Sequence, residues 1–376
     1  MVRHGSEDRS TLNFRSGELV EVRSKEEILA TLDQTGQLDS LPFMPEMLKY
    51  CGKQFRVYKS AHKTCDTINH SGGRRMAGAV HLEGLRCDGE AHGGCQAGCL
   101  LFFKEAWLKM APGSASEPVL SSSRNTRSTA GCSGENLWRS VYRTKGLGED
   151  AAGSASEAYS CQTTELFRAT APLKWWDMRQ YVRDLVSRNV TLSQVMKAAI
   201  FRMFSALLKV GGYRVLVATY NQVQRLRGGM PYPVRAGKLK SKTPSLTLNL
   251  QAGELVRVKT HDEILETINE NNRNRGLSFD VEMVKYCGKT ARVLRRVERI
   301  INEKTGEMIR MPTDSIILDG VICGADFSHG RVFCPRSIYS YWREIWLERV
   351  DKGTPEAPCS SAIQKSQERP CESVRL

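Results

Sequence analysis

The chain of 376 residues carries a formal charge of +14 and contains twelve cysteines. That length holds two or three domains with sizeable cores, so disulfide stapling is not needed for folding. The N-terminal stretch lacks the apolar core of a signal peptide, and no uncharged apolar run approaches the roughly 20 residues that span a bilayer, so exported and membrane-spanning classes are excluded and a cytoplasmic protein with reduced thiols is expected.

In chain order, "ELVEV" from Glu18 alternates apolar and polar residues as a half-buried strand does. Ser24 and Glu27 have the spacing of a capping box and predict a short helix carrying Ile28, Leu29 and Leu32. "EMLKYCG" predicts one more helical turn, with Gly52 supplying the left-handed residue at its end. Strands are expected at 55–58, 79–85 and 106–110. Residues 111–158 are rich in Ser, Gly, Ala and Arg and predict a flexible linker broken by a short ordered piece near 137–142. Residues 159–245 read as a helical region. Within it, 191–210 places Leu192, Val195, Met196, Ala199, Ile200, Met203, Phe204, Leu207 and Leu208 on one helix face, expected to pack against its own domain. The tail 351–376 is polar and expected to be disordered, with Cys359 and Cys371 as bystanders.

An internal repeat organises the rest. "SGELVEVRSKEEILATLD" at Ser16 recurs as "AGELVRVKTHDEILETIN" at Ala252, and "LPFMPEMLKYCGK" at Leu41 as "LSFDVEMVKYCGK" at Leu277, at a constant offset of 236. The register holds to Cys87 and Cys323; three residues are then inserted, and Cys95/Cys334 and Trp107/Trp346 follow at an offset of 239. The two units run 16–110 and 252–350, and the only length change between them falls in the cysteine loop, where a surface loop tolerates it. The predicted class is α+β: two homologous small β-barrel-like units joined by a linker and a basic helical region. Trp107 and Trp346 are expected to anchor the two cores, and the shared Glu105 and Glu344 to be structural.

"LRCDGEAHGGCQAGC" concentrates the chemistry. Cys65, Cys87, Cys95 and Cys99, with His92 as a further candidate, offer the thiolate and imidazole donors that zinc takes in a tetrahedron, and up to four thiolates would also hold an iron–sulfur cluster. The spacing has no C-x2-C knuckle, and the loop glycines permit tight wrapping of an ion. In the second unit Cys323, His329 and Cys334 persist, whereas Cys65 matches Ile301 and Cys99 matches Ile338, so the complete site is assigned to the first unit. Cys51 and Cys287 read as small core residues. Cys161 is either a ligand from outside the unit or a buried thiol. No P-loop, dinucleotide glycine pattern or nucleophile elbow occurs, and no reaction is predicted.

Residues 171–245 hold 14 Lys or Arg against Asp177 and Asp184, most of the chain's net positive charge. The segment suits an anionic partner, an acidic protein surface above all, with nucleic acid a weaker alternative. "LPFMPEMLKYCGKQFRV" resembles the SH3-like barrels of the nitrile hydratase β chain and related modules, which implies that fold and no activity. "GLRCDGEAHGGCQAGCLLFFKEAWL" and "FCPRSIYSYWREIWL" resemble a family of uncharacterised bacterial proteins associated with biosynthetic gene clusters. That resemblance implies a bacterial accessory protein of a biosynthetic pathway. The expected function is binding of zinc or an iron–sulfur cluster, with an iron–sulfur redox enzyme or electron carrier as the alternative.

Overall fold

The computed structural model describes residues 13–112, 132–143, 157–210, 213–240, 242–328 and 330–350. Most of the expected linker, all of the expected disordered tail with Cys359 and Cys371, and His329 lie outside the described residues. The fold mixes helices with two curled antiparallel five-stranded sheets, each a half-barrel. The first runs in the spatial order Leu100–Lys104, Ala79–Arg86, Gln54–Ser60, Leu19–Val22 and Leu108–Met110. The second has the same order: Tyr339–Trp342, Ile316–Ile322, Thr290–Arg296, Leu255–Val258 and Leu347–Arg349. In both, the third strand carries a register irregularity, between Val57 and Lys59 and between Val293 and Arg295. Such a bulge sharpens the local twist and helps the sheet curl.

The local rules read from the sequence explain these elements. Val20 and Val22 alternate inward along the first strand, as Val256 and Val258 do in the second sheet. The Ser24 hydroxyl accepts from Glu27 N and the Glu27 carboxylate from Ser24 N; Thr260 and Glu263 repeat the arrangement. The "EMLKYCG" turn is a tight three-residue-per-turn helix, Pro45–Tyr50, and Gly52 follows it at φ +72°. Glu105–Trp107 form a similar turn, so the last strand starts at Leu108 and not at the expected 106. That turn drives Trp107 into the core, edge-on to Phe43, with its indole N–H donated to Thr31 Oγ1 at 3.1 Å. Trp346 packs edge-on to Phe279 and donates to Thr267 Oγ1 at 2.9 Å.

The described chain divides into two compact units. The first comprises Met1–Leu216 together with Arg299–Arg310 and Cys323–Ile338; the second comprises Val217–Glu298, Met311–Ile322 and Tyr339–Leu376. The second sequence repeat is therefore divided, because its hairpin and its cysteine loop belong to the first unit. In the second unit the buried Glu344 carboxylate accepts from the backbone N–H groups of Leu248, Asn249 and Leu250 and pairs with Arg296, tying the segment before the sheet to its last turn.

In the first unit the helices Arg179–Val186 and Leu192–Val210, with Val190 between them, pack on the second repeat's loop through Tyr181, Leu185, Val195 and Ala198 against Val332 and Phe333. The long helix does not bury its expected apolar face. Leu192, Met196, Ile200, Met203 and Leu207 are each more than half exposed, whereas Ala198 and Leu208 are buried. The apolar stripe is wider than the small footprint of Val332 and Phe333 can cover. No helix among the described residues is long and apolar enough to cross a membrane.

Candidate metal centre

The strand Ala79–Arg86 leads into the loop, and its mouth is closed by one backbone bond and one side chain: Cys87 N donates to Cys99 O at 2.8 Å, and the Arg86 guanidinium donates to Gly98 O at 2.7 Å. Between these ends the chain folds back twice onto Gly89 O, which accepts from His92 N at 3.1 Å and Gly94 N at 2.8 Å. Gly89 has φ +78°, and a Cβ there would lie 2.1 Å from Cys95 O, so only glycine lets the turn close. Lys49 pairs with Asp88 at 2.5 Å and holds the loop against the Pro45–Tyr50 turn. That turn delivers Glu46.

Glu46, Cys87 and His92 converge. Cys87 Sγ lies 3.2 Å from His92 Nε2 and 3.6 Å from Glu46 Oε1, and His92 Nδ1 lies 3.7 Å from Glu46 Oε1. They are the one group of at least three possible ligands, among the described residues, whose donor atoms all lie within 4.8 Å of one another. They border a cavity of about 40 Å³ also lined by Cys95, Cys99, Cys161, Ile301 and Glu303. Glu46 Oε2 and His92 Nδ1 are buried without a hydrogen-bond partner. Unpartnered buried polar atoms are costly, and a bound group would satisfy them.

Burial dominates the electrostatics. It pushes the Glu46 carboxyl up to about 7 and holds the His92 imidazole down at about 4. It also raises the thiols of Cys87 and Cys161, and pushes Cys99 up to about 12. Near pH 7 the imidazole and these thiols are thus neutral donors, and the Glu46 carboxyl holds its proton far longer than an exposed one. A cysteine nucleophile needs an imidazolium or a helix terminus to hold its thiolate. Here Cys87 and His92 are in contact, yet burial opposes charge on both. A cation reverses that logic, because it favours the thiolate and the neutral imidazole together.

Two contributors come from outside the loop. Cys161 is positioned by Gln162, whose side-chain amide pairs with the edge strand as backbone would: Oε1 accepts from Phe102 N, and Nε2 donates to Phe102 O, each at 2.8 Å. Ile301 and Glu303 belong to the second repeat's hairpin, Arg299–Ile301 with Met308–Arg310. Gln96 N donates to Arg299 O at 3.0 Å, and Ile301 N donates to Cys95 Sγ at 3.4 Å. Sequence reasoning identified Cys87, His92, Cys95 and Cys99 and left Cys161 open. It passed over Glu46, whose only signal was an acid shared by both repeats as Glu46 and Glu282, each buried.

Cys65 is not with them. The strand Gln54–Ser60 pairs with Ala79–Arg86, with Val57 opposite Leu82. Beyond Ser60, however, the chain leaves the sheet. Lys63–Cys65 pairs with Gly73–Arg75, which pairs in turn with Ala171–Leu173. Asp184, fully buried, fixes this excursion by taking Lys63 at 2.5 Å and His62 at 3.2 Å. Cys65 therefore packs with Cys334 and Ala325, bordered by Cys323 and Ile338, in a cluster of its own. The four-cysteine arrangement with Cys65 is replaced by one in which Cys161 and Glu46 stand near Cys87. Cys51 and Cys287 are half-buried against the two cores, and no described cysteine is in a disulfide.

No known family model matches the chain, and no curated protein matches it in sequence.

Proposed function

We propose that the protein is a metal-binding protein whose first unit holds a single zinc-like ion on Cys87, His92 and Glu46, with Cys95, Cys99 or Cys161 as the fourth donor. The observation that carries this reading is the convergence of a thiol, an imidazole and a carboxyl, one ligand atom from each lying within 4.8 Å of the others at the edge of a buried cavity. Bonds of about 2.0 to 2.3 Å in a tetrahedron separate neighbouring ligand atoms by roughly 3.3 to 3.8 Å, and Cys87 Sγ stands 3.2 Å from His92 Nε2 and 3.6 Å from Glu46 Oε1. A cavity of about 40 Å³ takes one ion and a water or two. In keeping with its resemblance to the gene-cluster family, we place the protein in the bacterial cytoplasm as an accessory component of a biosynthetic pathway. The basic segment 171–245 docks an acidic protein or other anionic partner, and the half-barrels are SH3-like.

A second reading has its own support. Four thiols, Cys87, Cys95, Cys99 and Cys161, line the same cavity, and an iron–sulfur cluster in an electron carrier or redox enzyme asks for four thiolates. Metal analysis of protein purified without oxygen decides between them. One equivalent of zinc in a colourless protein, lost in Cys87→Ser and in His92→Ala, supports the first reading. Brown protein with iron and sulfide that survives His92→Ala supports the second. Metal-free protein that takes up neither zinc nor iron overturns both.

A further inference from the structure

Within the first unit the two repeats exchange parts. The first repeat's loop packs on the second repeat's hairpin through Cys95 and Ile301, while the second repeat's loop packs on the first repeat's hairpin through Cys334 and Cys65. The two contacts use equivalent positions, since Cys65 corresponds to Ile301 and Cys95 to Cys334. Both loops close alike: Cys323 N donates to Ile338 O at 2.8 Å, as Cys87 N does to Cys99 O. Near the centre of the exchange equivalent residues meet, with Thr67 hydrogen-bonded to Glu303, and Arg86 donates to both Gly98 O and Ser337 O. Where one contact has an aliphatic side chain against a thiol, the other has two thiols.

The surroundings of the two contacts differ in charge. The cavity at Cys87 is lined by the Glu46 and Glu303 carboxyls and, at position 97, by an alanine. The equivalent of Ala97 is Arg336, whose buried guanidinium donates to Thr67 Oγ1 at 2.9 Å, reaches Cys65 O at 3.5 Å and pairs with Glu303 at 2.9 Å. A buried cation opposes a metal ion and stabilises a thiolate. We infer that Cys65 and Cys334 are a redox-active dithiol that closes to a disulfide, clipping the second repeat's loop to the first repeat's hairpin across 269 positions of sequence. Within the pair, interaction with its neighbour thiol and with Arg336 favours the thiolate of Cys334, which makes it the attacking sulfur, while the neighbouring sulfur and burial raise the Cys65 thiol.

With hydrogen peroxide as oxidant, the Cys334 thiolate attacks the O–O bond, giving a sulfenic acid and hydroxide, which takes up the proton lost from Cys334 and leaves as water. The Cys65 sulfur then displaces the sulfenic hydroxyl, its proton leaves with that hydroxyl as a second water, and the S–S bond forms. Two thiols lose two electrons and the peroxide gains them. A dithiol reductant reverses the step.

The test is peroxide treatment of the full-length protein followed by peptide mapping without reduction, before and after dithiothreitol. The expected result is one dominant dithiothreitol-sensitive link between the peptides carrying Cys65 and Cys334. It should be absent in Cys334→Ala and in Cys65→Ile, the latter placing at 65 the residue found at its counterpart 301 and so preserving the packing; Cys65→Ser serves as the second variant. The same mapping with added zinc separates this proposal from the metal centre. Zinc should protect Cys87 and leave the Cys65–Cys334 link forming at an unchanged rate. Protection of Cys65 and Cys334 by zinc, peroxide-treated protein with both thiols unlinked, or a Cys323–Cys334 link of equal yield in the wild type would each overturn the inference.

Discussion

His81 lies on the strand Ala79–Arg86, fully buried, with Nδ1 2.9 Å from Leu101 O, its ring against Phe102 and Nε2 without a partner. Burial holds this imidazole down at about 3 in the folded protein. An unfolded chain releases it to about 6.5. A depressed base contributes its full stability only above the unfolded value, and loses it as pH falls toward the folded one, because the unfolded state alone takes up the proton. Between pH 7.5 and 5.5 the unfolded state gains about 1.4 kcal/mol from this one group, with almost no protonation of the folded state to offset it. The equivalent position in the second sheet is Ile317, also fully buried, so His81→Ile removes the titration while keeping a side chain this fold accepts. The variant should pay about 1 kcal/mol at both pH values for the lost hydrogen bond. Its drop in stability between pH 7.5 and 5.5 should nevertheless be smaller than the wild type's by about 1.4 kcal/mol. Urea unfolding at the two pH values, read on peptides of the first sheet by a hydrogen-exchange pulse at one fixed pH, measures that difference. Equal pH dependence in the two proteins would refute the assignment of a neutral, buried His81.

Gly89→Ala should abolish metal retention and expose Cys87 and Cys95 to a thiol reagent, since the added Cβ meets Cys95 O at 2.1 Å. Gly84→Ala is the control: it has φ +72° but nothing within 4 Å, so it should cost about 1 to 2 kcal/mol of stability and leave the thiols as protected as in the wild type. Binding of an acidic protein or other polyanion should weaken steeply between low and physiological salt and fall further in a charge-reversed variant at Arg225, Arg227, Lys238 and Lys240. Salt-insensitive binding measured by titration would count against the basic segment as the docking surface.

How far the sequence reached depends on whether a feature is local. Strand alternation and the paired capping boxes are set by neighbours within a few residues, and they were readable from residue type and spacing. The loop thiols were readable for the same reason, because Cys87, His92, Cys95 and Cys99 share one short turn closed by its own backbone. Glu46 was hidden because a shared acid in a scaffold turn looks structural until its burial is seen. The long helix shows a different limit: periodicity tells which residues share a face, not how much of that face a neighbour covers, so Met196, Ile200 and Met203 fit the pattern and still lie exposed. Cys65 shows the sharpest one. Proximity within a repeat groups it with Cys87, but Lys63, pulled onto Asp184, takes that strand out of the sheet, and its partner sulfur is supplied by the other repeat. Aligning the repeats shows Cys65 in place of Ile301 as a difference without a reason. The exchange of loops supplies the reason, because the residue at that position meets the second loop cysteine of the opposite repeat, and only there does a thiol find another thiol.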